Sequence, residues 1–258
     1  KLNLRIPEET MPFISDADQR TLKDRFKREL KNNVNIRLFT QRTMGLTIPG
    51  RDCAHCDDTE TLLEELASLS PKLDIEVKNF YTDTQDARDA GVERIPAIIM
   101  SANGSNQVKF YGIPMGFEFS TIIEDIITIS RGVSPLTMAS RKKLKQVKEP
   151  VHIQVFVTPT CGYCPQVARL AHSVAMENEN IMADVIEVQE FPILAQRYMI
   201  SGVPKTVINN KVQFVGAVPE SGFVDFVLKA VDIEPSDEEP SPLDIAPQVG
   251  PATKPTGS

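Results

Sequence analysis

The four cysteines of the chain form two Cys-x-x-Cys pairs, Cys53-Ala54-His55-Cys56 and Cys161-Gly162-Tyr163-Cys164. Such pairs are typical of redox centres or metal sites, whereas secreted scaffolds spread their cysteines to close long loops. A four-thiolate zinc site commonly has about 12 to 20 residues between its pairs. Here 105 positions separate Cys56 from Cys161. We therefore predict two redox centres and no metal site, with zinc as the alternative.

Redox exchange requires an ionised sulfur, because the thiolate is the attacking species. A cysteine at the start of a helix faces unpaired backbone N–H groups and the positive end of the helix dipole. Each pair lies between an apolar strand pattern and an amphipathic helix pattern, which predicts this placement. We predict that Cys53 and Cys161 attack, and that Cys56 and Cys164, one helical turn further on, close the disulfide and release the partner.

The residues between the cysteines adjust the thiolates. His55 can give Cys53 a hydrogen bond or a positive charge, which favours the dithiol form. We predict that Cys53–Cys56 is the more oxidising couple and that Gly162-Tyr163 leaves the second couple more reducing; reduction potentials in the opposite order would contradict this. The remaining histidines, His152 and His172, are predicted to be packing or surface residues.

The elements that must hold the cysteines occur twice. Pro96 follows Cys53 by 43 positions and Pro204 follows Cys161 by 43, each after a β-branched residue, Ile95 or Val203. Each half is predicted to contain helix, strand, Cys-x-x-Cys helix, strand, helix, proline-led strand, strand and helix. That order predicts an α/β unit with mixed strand pairing. Apolar positions align as well: Leu62, Leu66, Val77 and Ala87 fall opposite Leu170, Val174, Val185 and Ala195.

Glycine and proline interrupt the pattern between Gly132 and Pro135, which predicts two units, residues 1–132 and 133–233, each with its own hydrophobic core. The first helix is expected from Ser15 to about Lys31, capped by Ser15 or Asp16. The tail, residues 234–258, is acidic and holds six prolines, so we expect it to be disordered.

Composition excludes two classes of protein. The net charge of −7 and the lack of a clustered basic surface argue against nucleic-acid binding. No run approaches the ~20 apolar residues of a membrane span. We expect a cytoplasmic protein, with export as the alternative if a signal preceded Lys1.

The motif Thr160-Cys161-Gly162-Tyr163-Cys164, the Val203-Pro204 pair and the doubled pattern resemble the two-unit protein disulfide oxidoreductases, relatives of glutaredoxin and protein disulfide isomerase, over about residues 10 to 232. The resemblance implies two tandem thioredoxin-like folds, each a central mixed four-stranded sheet flanked by helices. It implies reduction, oxidation or isomerisation of protein disulfides with no bound cofactor beyond the two disulfides. Substrate backbone would dock at Ile95-Pro96 and Val203-Pro204, with cis prolines, and electrons would come from an NADPH-dependent flavoenzyme like thioredoxin reductase.

Two departures from the family pattern concern the first centre. Nine extra residues lie within Gln41 to Asp52, including Arg42 and Arg51, and Cys-Ala-His-Cys resembles the motif of protein disulfide isomerase. We therefore predict Cys161–Cys164 to be the principal general-purpose centre and Cys53–Cys56 a specialised one.

Three further functions stay open as alternatives. A glutaredoxin would hold glutathione with a double glycine and an acidic residue, which residues 215–218 lack. A dedicated electron donor to a peroxidase, with a peroxiredoxin as partner, is the second. The third is a non-catalytic thioredoxin-fold binding module or zinc-binding chaperone.

Overall fold

The computed structural model of the protein describes residues 12–41, 53–102 and 105–234. One order of elements, helix, strand, helix, strand, helix, strand, strand, helix, occurs twice. The first set is α1 Asp16–Glu29, β1 Val34–Thr40, α2 Cys56–Ala67, β2 Leu73–Asn79, α3 Thr84–Asp89, β3 Ala97–Ala102, β4 Ser105–Tyr111 and α4 Glu118–Arg131. The second set is α5 Met138–Leu144, β5 Val151–Val157, α6 Cys164–Glu177, β6 Ile181–Glu187, α7 Pro192–Arg197, β7 Lys205–Ile208, β8 Val212–Val215 and α8 Glu220–Lys229.

Local sequence signals account for the helix ends. The Ser15 hydroxyl accepts a hydrogen bond from the backbone N–H of Asp18 at 3.2 Å, as an N-cap does. Helix α4 ends at Gly132, whose φ of 68° is the left-handed conformation that glycine adopts at little cost. Thr137 then caps α5 by accepting from the N–H of Ser140 at 3.2 Å. The first helix therefore begins as predicted and ends two residues earlier, at Glu29.

The strands form one continuous sheet rather than two separate ones. Its order is β2-β1-β3-β4-β6-β5-β7-β8, so the two predicted four-stranded sheets join edge to edge. The joint is a parallel pairing of β4 with β6, in which Lys109 lies opposite Asp184. Strand β6 is thereby internal, whereas its counterpart β2 is an outer strand.

The pairing of β4 with β6 changes how the buried apolar residues are grouped into hydrophobic cores. Neighbouring residues of a strand face opposite sides of a sheet, and Leu38 and Phe39 belong to two different apolar clusters. Val155 and Phe156 are divided in the same way. Each cluster contains residues of both halves, so the expectation of one core for each unit is wrong. The cores are divided by the face of the shared sheet, because β4–β6 pairing makes each face continuous.

Buried polar groups lie where α4 packs against α6. His172 is 1% exposed, and its Nδ1 lies 2.7 Å from the Asp125 Oδ2 while its Nε2 lies 3.1 Å from the Lys109 carbonyl oxygen. The Nε2 of His152 lies 2.7 Å from the Asp184 Oδ2. Each histidine contacts a buried carboxyl group; His172 is itself buried and His152 is half-buried, in agreement with the packing or surface positions predicted for them.

Glu118 is a fully buried carboxylate at the start of α4. Its Oε2 accepts a hydrogen bond from the Thr121 hydroxyl at 2.8 Å, and its Oε1 has no hydrogen-bond partner. Burial raises the pKa of Glu118 to about 7; Asp125 raises it further, whereas the Thr121 bond, His172 and Arg169 lower it. The folded protein therefore favours the protonated form of this group.

Replacing Glu118 by glutamine is expected to raise the free energy of unfolding more at about pH 8 than at about pH 5. The pKa of Glu118 is about 7 in the folded protein, against the ordinary value of 4.5 in the unfolded chain. The stability that the protonated group contributes is therefore complete at low pH and is lost as the pH rises through about 7. The variant lacks this loss, so the difference in unfolding free energy between variant and parent should grow by about 2 to 3 kcal/mol. Urea denaturation at both pH values measures it. Exposed Glu149→Gln is the control, and a difference that does not change with pH would contradict the prediction.

Candidate active sites

Each Cys-x-x-Cys pair forms its own disulfide, Cys53–Cys56 and Cys161–Cys164, with Cα atoms 5.5 and 5.4 Å apart. The first cysteine of each pair is half-buried. The second is almost inaccessible, with 2% of Cys56 and 0% of Cys164 exposed. The first cysteine of each pair is therefore the more accessible of the two, as the predicted roles of attacking and resolving cysteine require.

Helices α2 and α6 begin at the second cysteine, not the first. Cys53 and Cys161 lie in the turn that leads into the helix, which places the predicted helix start three residues too early. In neither helix does the side chain of the N-cap residue, His55 or Tyr163, accept a hydrogen bond from a first-turn N–H group. Pro165 lies in the first turn of α6, where its missing N–H costs no intrahelical bond.

A cis peptide bond precedes each of the two aligned prolines, Pro96 and Pro204, as the resemblance implies. The carbonyl of Pro96 accepts from the N–H of Gly112 at 2.9 Å, and that of Pro204 accepts from the N–H of Gly216 at 2.8 Å. Both prolines are buried, while the preceding residues, Ile95 and Val203, are half-buried. The repeat therefore extends to the hydrogen bonds of the proline-led loops.

The surroundings of the two centres differ. Tyr163, between the cysteines of the second pair, is 73% exposed. The first pair instead opens into a cavity of about 580 Å³ that brings Cys53, His55 and Ile95 together with residues of the second half. The residues from that half are Pro159, Glu187, Gln189, Glu190, Phe191 and Pro192.

Two glutamates in this cavity were missed from the sequence. Glu187 ends β6 and accepts from the N–H groups of Gln189 and Glu190 at 3.2 and 2.9 Å. Glu190 accepts from the N–H of Ile113 at 2.6 Å. Burial raises the pKa of both carboxyls, although the backbone hydrogen bonds and His55 act in the opposite direction. A Cβ at Gly112 would lie 2.8 Å from the Glu187 Cβ and 2.6 Å from the Glu190 Oε1, and the backbone φ there is +98°, so a larger residue would be strained at this position.

The carboxylates of Glu187 and Glu190 oppose the effect that is predicted for His55 on the Cys53 thiolate. Its Nδ1 lies 3.5 Å from the Asp58 Oδ2, and it lines the cavity together with Glu187 and Glu190. Negative charge near Cys53 disfavours its thiolate and so works against the histidine. The order of the two reduction potentials stays a prediction.

Two predicted segments lie outside the described residues: most of the expansion between Gln41 and Asp52, with Arg42 and Arg51, and the tail beyond Glu234. In the part of the chain that the structure describes, no three His, Cys, Asp or Glu side chains are grouped so that they could hold a metal ion. None of the helices formed by residues 12–41, 53–102 and 105–234 combines the length and apolar character that a membrane span requires.

A family model for the thioredoxin domain matches the chain twice, at residues 44–124 and 151–229. The chain belongs to the thioredoxin domain family. This thioredoxin-domain protein resembles the crystal structure of a protein disulfide oxidoreductase from Aeropyrum pernix, with 29% identity, a TM-score of 0.76, and coverage of 86% of this chain and 96% of that one. The predicted fold, two tandem thioredoxin-like units each with a Cys-x-x-Cys disulfide, is confirmed.

Other relatives of this thioredoxin-domain protein are longer chains. It is 24% identical over 155 residues to an alkyl hydroperoxide reductase polypeptide of Staphylococcus aureus, covering 60% of this chain and 28% of that protein. The corresponding values for an NADH dehydrogenase of Bacillus subtilis are 24% over 160 residues, 60% and 29%. The chain thus spans less than a third of these curated relatives. A domain of the Enterococcus faecalis alkyl hydroperoxide reductase shares the fold, at 22% identity, a TM-score of 0.73, and coverage of 83% of this chain and 100% of that one.

Proposed function

We propose that this protein is a thiol–disulfide oxidoreductase that reduces, oxidises or isomerises protein disulfides. The observation that carries the proposal is that each half places a disulfide at the start of a helix, with its first cysteine half-buried and its second almost inaccessible. The chain is proposed to consist of two units, residues 1–132 and 133–233. A cytoplasmic location stays a prediction.

In the reducing direction, the Cys161 thiolate attacks one sulfur of a substrate disulfide. A mixed disulfide forms and the other substrate sulfur leaves as a thiolate, which takes up a proton. Cys164 then loses its proton and attacks the Cys161 sulfur, which forms Cys161–Cys164 and releases the second substrate thiol. The substrate gains two electrons and two protons, and the protein's dithiol loses them. Cys53 and Cys56 perform the same steps in the first unit.

The neighbours of the cysteines are proposed to bind substrate and adjust reactivity. Ile95-Pro96 and Val203-Pro204 would contact the substrate backbone beside each disulfide. His55 and Tyr163, each one residue before a helix, would tune the sulfur that precedes them. The half-buried state of Ile95 and Val203 supports this, because part of each residue remains open to solvent.

The electron donor is proposed to be an NADPH-dependent flavoenzyme like thioredoxin reductase. A second candidate function is electron delivery to a peroxidase such as a peroxiredoxin. It is favoured by the similarity to the Staphylococcus aureus alkyl hydroperoxide reductase polypeptide, whose name states its reaction. Single-turnover transfer from the reduced protein to insulin and to an oxidised peroxiredoxin would separate the two functions.

Alkylation mapping tests the proposed function directly. After reduction by dithiothreitol, iodoacetamide at about pH 7 is expected to label Cys53 and Cys161 quickly and Cys56 and Cys164 slowly, because the second cysteines are buried. The reduced protein should also reduce insulin. Four unreactive thiols, or zinc bound by them in the freshly purified protein, would contradict the proposal.

A further inference from the structure

The two redox centres have unequal neighbours because of the strand order. Strand β6 lies beside β4, so the segment that follows it, residues 187–192, faces the cavity at Cys53. The repeat places Asn79 and Thr82 at the positions equivalent to Glu187 and Glu190. Asn79 ends β2 and Thr82 lies just beyond it, and β2 is an outer strand with no second unit beside it. The second unit therefore contributes two carboxylate side chains to the cavity at the first centre, at positions where the first unit has Asn79 and Thr82.

The contributed side chains are carboxylates that backbone groups hold in place. Glu187 is 2% exposed and accepts two backbone N–H groups, and Glu190 accepts the N–H of Ile113. Backbone donors satisfy the oxygens but carry no net positive charge. In the described part of the chain, no Lys or Arg side chain forms an ion pair with either glutamate. His55 is the one described residue lining the cavity that can become positive.

We propose that Glu187 and Glu190 make the Cys53 centre prefer disulfides that carry a positive charge beside the sulfur–sulfur bond. This inference rests on the proposed function, since it concerns the substrate of that centre. A cavity of about 580 Å³ is in the size range of sites for small molecules or single side chains. The ligand chemistry is a disulfide with a neighbouring ammonium or guanidinium group, either a small molecule or a basic peptide.

The test uses the full chain with Cys161→Ser and Cys164→Ser, so that only the Cys53–Cys56 centre can react. Its reduced form is mixed with cystamine, which has two ammonium groups, or with dithiodipropionate, which has two carboxylates. The ratio of the two rates is the readout, because any change in the reactivity of Cys53 itself cancels. A second pair of probes, disulfide peptides with flanking lysines or glutamates, distinguishes peptide from small-molecule preference.

We expect the ratio of the rates to favour cystamine in the parent and to fall about tenfold in Glu187→Gln/Glu190→Gln. Charges about 7 Å apart in a water-like medium change a rate about threefold, and the two probes change in opposite directions. About 1 M salt should remove most of the preference in the parent. Glutamine at position 190 keeps an oxygen that can accept from the Ile113 N–H, and at position 187 it keeps one of the two accepting oxygens, so we expect the variant to fold, which thermal melting checks. The exposed Glu149→Gln should leave the ratio unchanged. The Glu187→Gln/Glu190→Gln substitutions should also leave the ratio unchanged when it is measured at Cys161, in a chain that carries Cys53→Ser and Cys56→Ser.

An unchanged ratio in a reactive double glutamine variant would contradict this inference and leave the proposed function standing. A Cys53 centre that reacts with none of the four probes would contradict the proposed function for that centre and the inference with it.

Discussion

Replacing Cys164 by serine is expected to convert the second centre from a catalyst into a covalent trap of its substrates. Cys161 would still attack and form the mixed disulfide, but the sulfur that releases it, on a residue whose Cα lies 5.4 Å away, would be missing. A neighbouring thiol in the same molecule acts as a very concentrated reagent, so we expect turnover to fall by at least about 100-fold. Insulin turnover and mass spectrometry of the non-reduced mixture measure the loss and the accumulated adduct.

Two controls accompany this experiment: a chain in which the first centre is inactive, and a second substitution at Cys164. The chain should also carry Cys53→Ser and Cys56→Ser, which silences the first centre. Cys164 is fully buried, and a serine hydroxyl without a partner there would cost about 1 to 3 kcal/mol. Cys164→Ala avoids that cost and should trap equally well. Full turnover without an adduct in either variant would show that Cys164 is not the resolving thiol.

The sequence was sufficient for everything that depends on the repeat. The equal spacing from Cys53 to Pro96 and from Cys161 to Pro204 predicted two similar units, and the structure contains both sets of eight elements. Local patterns were informative because apolar periodicity, caps and prolines act over a few residues. The helix starts were shifted by three residues because a Cys-x-x-Cys turn and a first helical turn have the same polar pattern.

The way in which the units meet could not be predicted. In the pairing of β4 with β6, Lys109 lies opposite Asp184. The apolar pattern of a strand indicates which of its residues are buried, but it does not indicate which strand lies beside it. The placement of Glu187 and Glu190 depends on that pairing. The one available signal was a difference between repeats, glutamates where the first half has Asn79 and Thr82. Such a difference marks positions to examine, but it does not locate a side chain 134 residues from Cys53 beside that cysteine.

The joint between the units also explains why the centres should differ in use. A protein substrate must bring an extended backbone to the attacking sulfur. At Cys53 the second unit forms one wall of the cavity, with Phe191 and Pro192 beside the two glutamates. At Cys161 the adjacent Gly162 has open space around its Cα, and Tyr163 is largely exposed. Access for a protein chain is therefore expected to be easier at the second centre.

Cys161→Ser is accordingly expected to reduce insulin turnover at least about tenfold, whereas Cys53→Ser keeps more than about half of it. Serine lacks the ionisable sulfur, so each variant reports the centre that remains. A small neutral disulfide, hydroxyethyl disulfide, is the matched probe. Because it needs little space, the two variants should differ less with it than with insulin. If Cys161→Ser retained most of its insulin turnover, Cys53 would be the principal centre and its cavity would have to admit a protein chain.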